Sequence, residues 1–440
     1  MAPETLTPSL PLTRSALLRG WSLLAVASLA LAGLFAILLV LSRIPGMEDA
    51  MPWPTAFFHK GLVAHVVLSF AVWYLAVFGC LVQLSQNSES SLLDKAGLGL
   101  ATFGTLLLLI PSLLDRGEPT LNNYIPVIID PLYYSGLALL ALGILAGIFC
   151  VFKGASQGPS LKLAGFIYVI AIVAFALAEI QLGDQPLTHD YNERLLWGGG
   201  HLLQFLNVAL LLIAWTYLAK LVPTPTAFKA ANLWLAAAAV LGLSFYGFWT
   251  VMDEAQTLAF TDLQYALGPA VLIFGIALVP ALIGQLKNFK WQDPATLSLW
   301  SSIFVFAAGG FLGFFVDGTD TRTPAHYHGV IGGINLAFVG LFYAVFLPKL
   351  GRAVPRGKLV TSQIILYAVG QFLFIVGMYI AGGMGAARKV MGTDIDMDQS
   401  FAVAAARLRD FGGGLAIIGG VIFIYLALKA LLPKLPRTNS

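Results

Sequence analysis

Apolar runs of about 20 residues, the length that one helix needs to cross a bilayer, recur along the whole chain with short polar stretches between them. We place twelve such runs near residues 18–42, 60–84, 95–114, 130–152, 161–183, 195–219, 231–252, 263–286, 296–316, 325–348, 363–386 and 410–432. The pattern predicts an all-α, polytopic membrane protein: a bundle of twelve transmembrane helices forming a single transmembrane domain over residues 1–440.

Composition supports this prediction. The chain is 58% hydrophobic and 11% charged, whereas a soluble domain carries about 25% charged residues. A soluble enzyme is therefore excluded, and nothing indicates a nucleic-acid partner. The only two cysteines, Cys80 and Cys150, lie inside apolar runs, where we expect them to be small core residues rather than a disulfide. The chain contains no CxxCH motif, so it carries no attached c-type heme.

The charges between the runs indicate an orientation. Most of the 25 basic residues, among them Arg14, Lys95 and Lys358, fall on the side of the two termini. Most of the acidic residues, such as Asp190, fall on the other side. Because cytoplasmic loops are enriched in lysine and arginine, we predict that both termini are cytoplasmic.

Four of the six histidines lie in apolar runs, with His65 in the second, His201 in the sixth, and His326 and His328 in the tenth. A histidine inside a membrane is a functional candidate, and neutral imidazole is the commonest metal ligand. The predicted orientation brings all four to one level in the outer leaflet. Two residues along a helix turn the side chain by about 200°, so His326 and His328 point to opposite faces and can each bind a separate planar cofactor.

Four motifs carry a resemblance to a known family. FFHKGLVAHVVLSF around His65, WGGGHLLQF around His201, and HYHGVIGGINLAFVGLFYAVFLPKL from His326 resemble spans two, six and ten of subunit I in the heme-copper oxidase superfamily, closest to its B-type oxidases and nitric oxide reductases. GMYIAGGMGAARKV resembles the end of span eleven, where a basic pair, here Arg388 and Lys389, holds heme propionates.

The resemblance implies two hemes, which we expect to be of b type. His65 and His328 would ligate a low-spin heme, and His326 a high-spin heme. His201 would be one ligand of a copper ion, or of non-heme iron as in the reductases. The resemblance also implies a multi-pass protein of a bacterial-type inner membrane, with the heme sites toward the outer face.

The chain departs from the family pattern around His201. The histidine pair of span seven is absent, and Trp249 and Thr250 stand at its positions in LSFYGFWTVMDE. Phe205 stands where oxidases have a tyrosine and reductases a glutamate. Copper or non-heme iron is therefore doubtful: His201 would be a residual ligand, completed by Asp253 or Glu254 in one alternative. In the alternative that we favour, Trp249 fills the vacated volume and leaves an apolar distal pocket.

The residues leave two functions open. The first is a diheme oxidoreductase of the terminal oxidase or nitric oxide reductase type, with His326, His201 and Trp249 at the reaction site and O2 or NO as the gas. A cytochrome subunit or a quinol would supply its electrons. The second is a non-catalytic diheme electron-transfer or gas-sensing subunit whose copper site has decayed. A cofactor-free transporter is the least favoured interpretation.

Other polar groups carry weaker predictions. Glu179, late in the fifth run, is either a proton-path member or a snorkelling residue. We interpret Gln204 as a polar helix contact. His59 and His189 match no ligand position, and we expect them to lie at the interface and in an external loop.

Overall fold

The computed structural model describes residues 10–41, 57–123, 125–153, 159–219, 262, 290–316, 318, 320–386 and 400–432. Its helices are α1 (Leu12–Leu41), α2 (Phe57–Val66), α3 (Trp73–Leu84), α4 (Leu92–Leu113), α5 (Pro131–Lys153), α6 (Pro159–Leu182), α7 (His189–Leu218), α8 (Pro294–Leu312), α9 (Arg322–Leu341), α10 (Leu347–Lys349), α11 (Lys358–Gly383) and α12 (Ser400–Leu431). A first π segment (Val67–Val72) joins α2 to α3, and a second (Phe342–Phe346) joins α9 to α10.

The all-α fold class is confirmed. In the described residues, ten continuous helices are long and apolar enough to cross a membrane, and they match ten of the twelve predicted spans. The predicted spans 231–252 and 263–286 lie outside the described residues, so the count of twelve stays a prediction. Most of the helices begin earlier than the apolar runs, above all α12, which starts at Ser400 rather than near residue 410. Polar turns such as the one around Arg409 continue the helix beyond its apolar part.

One short sheet was not predicted from the sequence. Strands β1 (Glu118–Thr120) and β2 (Val127–Ile129) pair antiparallel between α4 and α5, with Pro119 opposite Ile128. Each strand has only three residues, too few for the alternation of apolar and polar residues that reveals a strand.

Residue contacts divide the chain into two compact units. The first contains α1 up to Leu39, α2 to α6 and α7 up to Thr216. The second contains α8 to α12 and the last residues of α1 and α7. The prediction of a single transmembrane domain is not tested by this division. Within the first unit, α4 and α5 pack at their glycines: a Cβ on Gly97 would lie 2.7 Å from the Gly143 carbonyl oxygen, and one on Gly104 would lie 2.6 Å from that of Gly136. Small residues allow membrane helices to approach this closely.

Glycines also allow close helix packing in the second unit. A Cβ on Gly309 of α8 would lie 2.5 Å from the backbone of Gly329 on α9, and one on Gly370 of α11 would lie 2.4 Å from the Ala416 nitrogen on α12. Ser302 adds a hydrogen bond of 2.6 Å to the Gly333 carbonyl oxygen across the α8–α9 contact. At these glycines the backbones of neighbouring helices are therefore in direct contact.

A buried ion pair stabilises the first unit. Arg14 of α1 and Asp94 of α4 lie 2.9 Å apart, with side chains 3% and 0% exposed. Asp94 also forms a capping box with Ser91 at the start of α4. Arg14 donates further hydrogen bonds to Gln83 and to the Ser88 carbonyl oxygen. The guanidinium thus ties α1 to the end of α3 and the start of α4.

Replacing Asp94 with alanine is expected to lower the free energy of unfolding by about 3–5 kcal/mol, because it leaves the buried Arg14 charge without its partner. Unfolding of the purified protein in mixed micelles measures this change. Asp190→Ala, which removes the exposed partner of Arg194, is the control and is expected to cost at most about 0.5 kcal/mol. Equal losses in the two variants would show that the buried pair contributes no more than the surface pair.

The cysteines are free, as predicted. Cys80 is fully buried and lies 3.5 Å from the Ser22 hydroxyl, whereas Cys150 is only partly buried. The expectation of two core cysteines is therefore met by Cys80 and is wrong for Cys150. Cys150 lies near one end of α5, beside the partly exposed Ser91 hydroxyl.

Candidate metal-ligating histidines

His65 occupies the last turn of α2, and Val66 separates it from the first π segment. Its Nδ1 lies 2.9 Å from the Ala32 carbonyl oxygen of α1. A carbonyl oxygen can only accept, so Nδ1 carries the proton and Nε2 keeps the lone pair. π segments interrupt α-helices at functional sites in many proteins, and here the interruption begins at Val67, two residues after the histidine.

His201 is buried in α7 at 3% exposure. Its Nδ1 donates to the Trp197 carbonyl oxygen one turn earlier, at 2.7 Å, and the two rings lie 3.7 Å apart at 42°. Gly199 allows Phe175 of α6 to press against this turn, since a Cβ there would lie 2.3 Å from the Phe175 ring. The glycine run of WGGGHLLQF therefore provides the close packing that surrounds His201.

The turn after His201 is largely apolar. Phe205 is 8% exposed, and Gln204 donates to the Gly200 carbonyl oxygen of its own helix at 3.3 Å. The interpretation of Gln204 as a polar helix contact agrees with this bond. Position 205 is a phenylalanine, so it offers neither the phenol nor the carboxylate that the family resemblance predicts there.

His326 and His328 contact different helices. The Nδ1 of His326 donates to the Gly309 carbonyl oxygen of α8 at 2.8 Å, and Gly313 makes room for the ring, because a Cβ there would lie 2.6 Å from Nδ1. The His328 ring meets Phe374 of α11 edge to face, with centroids 5.1 Å apart. The two rings therefore meet different neighbouring helices, and the opposite faces stay a prediction.

One arrangement recurs at three of the four histidines. His65, His201 and His326 each direct Nδ1 to a backbone carbonyl oxygen, from another helix in two cases and from the same helix in one. Metal-bound histidines typically hold their second ring nitrogen in this way, because the bond fixes the tautomer and the ring orientation. The histidines themselves were evident in the sequence, whereas the carbonyl partners of His65 and His326 were missed because they depend on helix packing.

Several predicted site residues lie outside the described residues: Trp249, Thr250, Asp253, Glu254, Arg388 and Lys389. Within the described ranges, no three histidine, cysteine, aspartate or glutamate side chains cluster as a metal site would require. His65 and His201 belong to the first unit, and His326 and His328 to the second. The pairing of His65 with His328 stays a prediction.

Glu179 lies near the end of α6 and is exposed. It accepts a hydrogen bond of 2.8 Å from the Tyr191 hydroxyl beside a cavity of about 300 Å³ that Tyr134 and Leu195 also line. Its exposure agrees better with a helix-end residue than with a buried proton relay.

The two remaining histidines have peripheral positions. His59 is half-buried, with its ring 5.3 Å from that of Phe58. His189 is exposed at the first residue of α7, and its backbone carbonyl accepts a hydrogen bond from Asn122. Both positions agree with the prediction that neither is a buried ligand.

Comparisons with known proteins cover nearly the whole chain. The family model described as cytochrome c and quinol oxidase polypeptide I matches residues 17–414. An uncharacterized protein of Rickettsia prowazekii (strain Madrid E) is 26% identical, covering 95% of this chain and 96% of its own length. An uncharacterized protein of Aquifex aeolicus (strain VF5) is 27% identical, over 77% of this chain and 86% of its own length. A solved heme-copper terminal oxidase dimer is similar in fold, with a TM-score of 0.74 at 18% identity, covering 97% of this chain and 85% of that one.

Proposed function

This chain belongs to the family of cytochrome c and quinol oxidase polypeptide I, and from that premise we propose that it is the diheme subunit of a membrane oxidoreductase. The family suggests heme-based electron transfer and oxygen reduction. In our proposal His65 and His328 hold a low-spin heme, His326 holds a high-spin heme, both of b type, and the usual copper is absent. When bound, the hemes would supply one-electron transfer and an iron that can bind O2 or NO.

The observation that carries the proposal is the Nδ1 bond of the histidines. His65 donates to Ala32 at 2.9 Å and His326 to Gly309 at 2.8 Å. Each bond places the proton on Nδ1, so Nε2 keeps the lone pair that can ligate iron. The bond also fixes the orientation of the ring. The donor set therefore fits axial heme ligation.

The different contacts of His326 and His328 support the proposal that each histidine ligates a different heme. Their rings contact α8 and α11 respectively, so one short helical segment would present a ligand on each of two sides. In the predicted orientation, Arg388 and Lys389 would hold propionates at the outer face. The termini would be cytoplasmic, the lipid bilayer would surround the apolar helices, and the electron donor would be a cytochrome subunit or a quinol.

A second candidate function is a non-catalytic diheme electron-transfer or gas-sensing subunit. The specific observation in its favour is the buried Phe205, one turn beyond His201, together with Trp249 and Thr250 in the sequence. A site without a phenol, a carboxylate or a histidine pair would offer neither a proton donor nor a complete set of ligands for a second metal. Consumption of O2 or NO with a reduced donor separates the two functions.

An optical spectrum with metal analysis tests the proposal. The purified full-length protein is expected to contain two b-type hemes, of which one binds CO, and iron at two equivalents with copper well below one. His65→Ala is expected to remove the low-spin signal, because it deletes an axial ligand. His59→Ala, which alters a histidine on the same helix, is the control and is expected to keep both hemes. One full equivalent of copper, or a normal low-spin signal in His65→Ala, would contradict the proposal.

A further inference from the structure

A cavity of about 300 Å³ opens where α5, α6 and α7 meet at one end of the first unit. We call it the α5–α6–α7 cavity, and its lining residues are Tyr134, Glu179, Leu187, Tyr191 and Leu195. None of the candidate ligand histidines lines it. Cavities that bind small ligands begin at about this size, so the volume suits a small group rather than a large cofactor.

The cavity lies at the edge of the apolar region. Glu179 is three residues before Leu182, the last residue of α6, which puts it about 4.5 Å from the end of the helix. Its neighbour Ile180 is largely exposed, and Leu187 in the following turn is about half exposed. The cavity is therefore close both to surface that lipid tails can cover and to the polar end of the helix.

The Glu179 carboxylate makes this end of α6 attractive to a cation. Its Oε2 accepts a hydrogen bond of 2.8 Å from the Tyr191 hydroxyl, and a carboxylate has about four acceptor positions. Within the described residues, none of the ion pairs includes Glu179. The last turn of α6 has no basic residue, and the C-terminal end of a helix carries a partial negative charge of its own.

The tyrosine walls of the cavity are fixed by hydrogen bonds to buried neighbours. The Tyr134 hydroxyl donates to Asn192 Oδ1 at 2.8 Å, and Asn192 Nδ2 donates to the Thr120 hydroxyl of β1 at 3.2 Å. The backbone nitrogen of Tyr191 donates to the Thr188 hydroxyl at 3.1 Å. Because these side chains are already ordered, a ligand that enters the cavity loses less binding free energy to their ordering.

These groups suit an alkylammonium ion. An aromatic face attracts an ammonium group within about 6 Å of the ring centroid, and a primary ammonium has three N–H donors for a carboxylate. A calcium ion would require about six to eight oxygen ligands, whereas Glu179 is the only carboxylate that lines the cavity. An anion would be repelled by that carboxylate.

We propose that the α5–α6–α7 cavity binds the primary ammonium group of a phosphatidylethanolamine headgroup. Glu179 accepts its N–H bonds, Tyr134 and Tyr191 flank it, and the acyl chains run along the apolar surface at Ile180 and Leu187. In the predicted orientation this lipid belongs to the outer leaflet. The binding requires no heme and is independent of the proposed function.

Native mass spectrometry of the full-length protein in detergent measures lipid binding directly. With phosphatidylethanolamine and phosphatidylglycerol each titrated, we expect the first to bind about tenfold more tightly, the ratio that one charge-assisted hydrogen bond provides. Equal affinities for the two lipids would overturn the proposal.

Glu179→Gln is expected to weaken phosphatidylethanolamine binding about tenfold, because it removes the charge but keeps an acceptor for the Tyr191 hydroxyl. Asp184→Asn is the matched control, since it neutralises an exposed carboxylate that does not line the cavity. Its affinity is expected to equal that of the wild-type protein. Equal affinities in the two variants would show that Glu179 is not the acceptor.

Leu187→Trp tests the place of binding without changing any charge. Leu187 is half exposed, so the larger side chain is tolerated and fills the cavity. We expect the Tm of the lipid-free protein to stay unchanged, and the rise in Tm on addition of phosphatidylethanolamine to be lost. A rise as large as in the wild-type protein would overturn the placement in this cavity, even if Glu179→Gln fails to fold.

Free ethanolamine distinguishes a lipid from a soluble amine. It presents the same ammonium group without acyl chains, each buried CH2 of which adds about 0.8 kcal/mol. We therefore expect more than about a hundredfold excess of ethanolamine to be needed to displace the lipid. Displacement at equal concentration would overturn the lipid as the source of the ammonium group.

Discussion

His328→Ala is expected to abolish the low-spin heme spectrum while CO still binds to the other heme. The reason is that the His328 ring lies against Phe374 of α11, whereas His326, the proposed high-spin ligand, contacts α8. Absorption spectra of the reduced protein, with and without CO, measure both signals in one sample.

His326→Ala is expected to do the reverse. CO binding is lost and the low-spin spectrum is retained, because the ring that donates to Gly309 of α8 is removed. His189→Ala, which changes an exposed histidine, controls for the general loss of a histidine. Loss of the same heme in both variants of the tenth span would show that the two rings serve one cofactor, contrary to the predicted opposite faces.

Gly309→Ala is expected to destabilise the second unit and weaken CO binding together. A Cβ at this position would lie 2.5 Å from backbone atoms of Gly329 and Val330, and backbone cannot move aside as a side chain can. The two helices must separate, which lengthens the bond of 2.8 Å from His326 to the Gly309 carbonyl oxygen. Overpacking of this kind costs about 1–3 kcal/mol.

Gly310→Ala is the matched control for this prediction. The neighbouring glycine has nothing within 4 Å of its ideal Cβ, so alanine there adds no clash and improves helix propensity by up to about 1 kcal/mol. Thermal unfolding and CO titration of the two variants give the comparison. Equal stability in both would show that the α8–α9 contact tolerates a methyl group, and the link between that contact and His326 would be wrong.

The apolar runs predicted most of the helical fold. Ten of the twelve spans correspond to described helices because a bilayer-spanning helix needs a long apolar segment whatever it packs against. The histidines were found for a similar reason, since an ionisable ring is costly inside a membrane and is rare there without a role. Helix ends were predicted less well, as α12 shows, because hydropathy marks the apolar part of a helix and not its polar first turns.

Side-chain partners could not be predicted from the sequence. Nothing in the residues around His326 identifies Gly309, 17 positions earlier, as the acceptor of its Nδ1 proton. The polar contact between α9 and α11 is hidden for the same reason. Asn335, Tyr367 and Gln363 are isolated polar residues in apolar runs, and only the register of two antiparallel helices makes them neighbours.

The sequence by itself determined that the chain is a helical membrane protein, which residues are candidate ligands, and that His326 and His328 point apart. These are properties of local composition and helical periodicity. The tertiary structure decided which carbonyls hold the His65 and His326 rings, which glycines bring helices into backbone contact, and where buried polar groups meet. Those features depend on contacts between residues distant in the chain, which apolar periodicity does not encode.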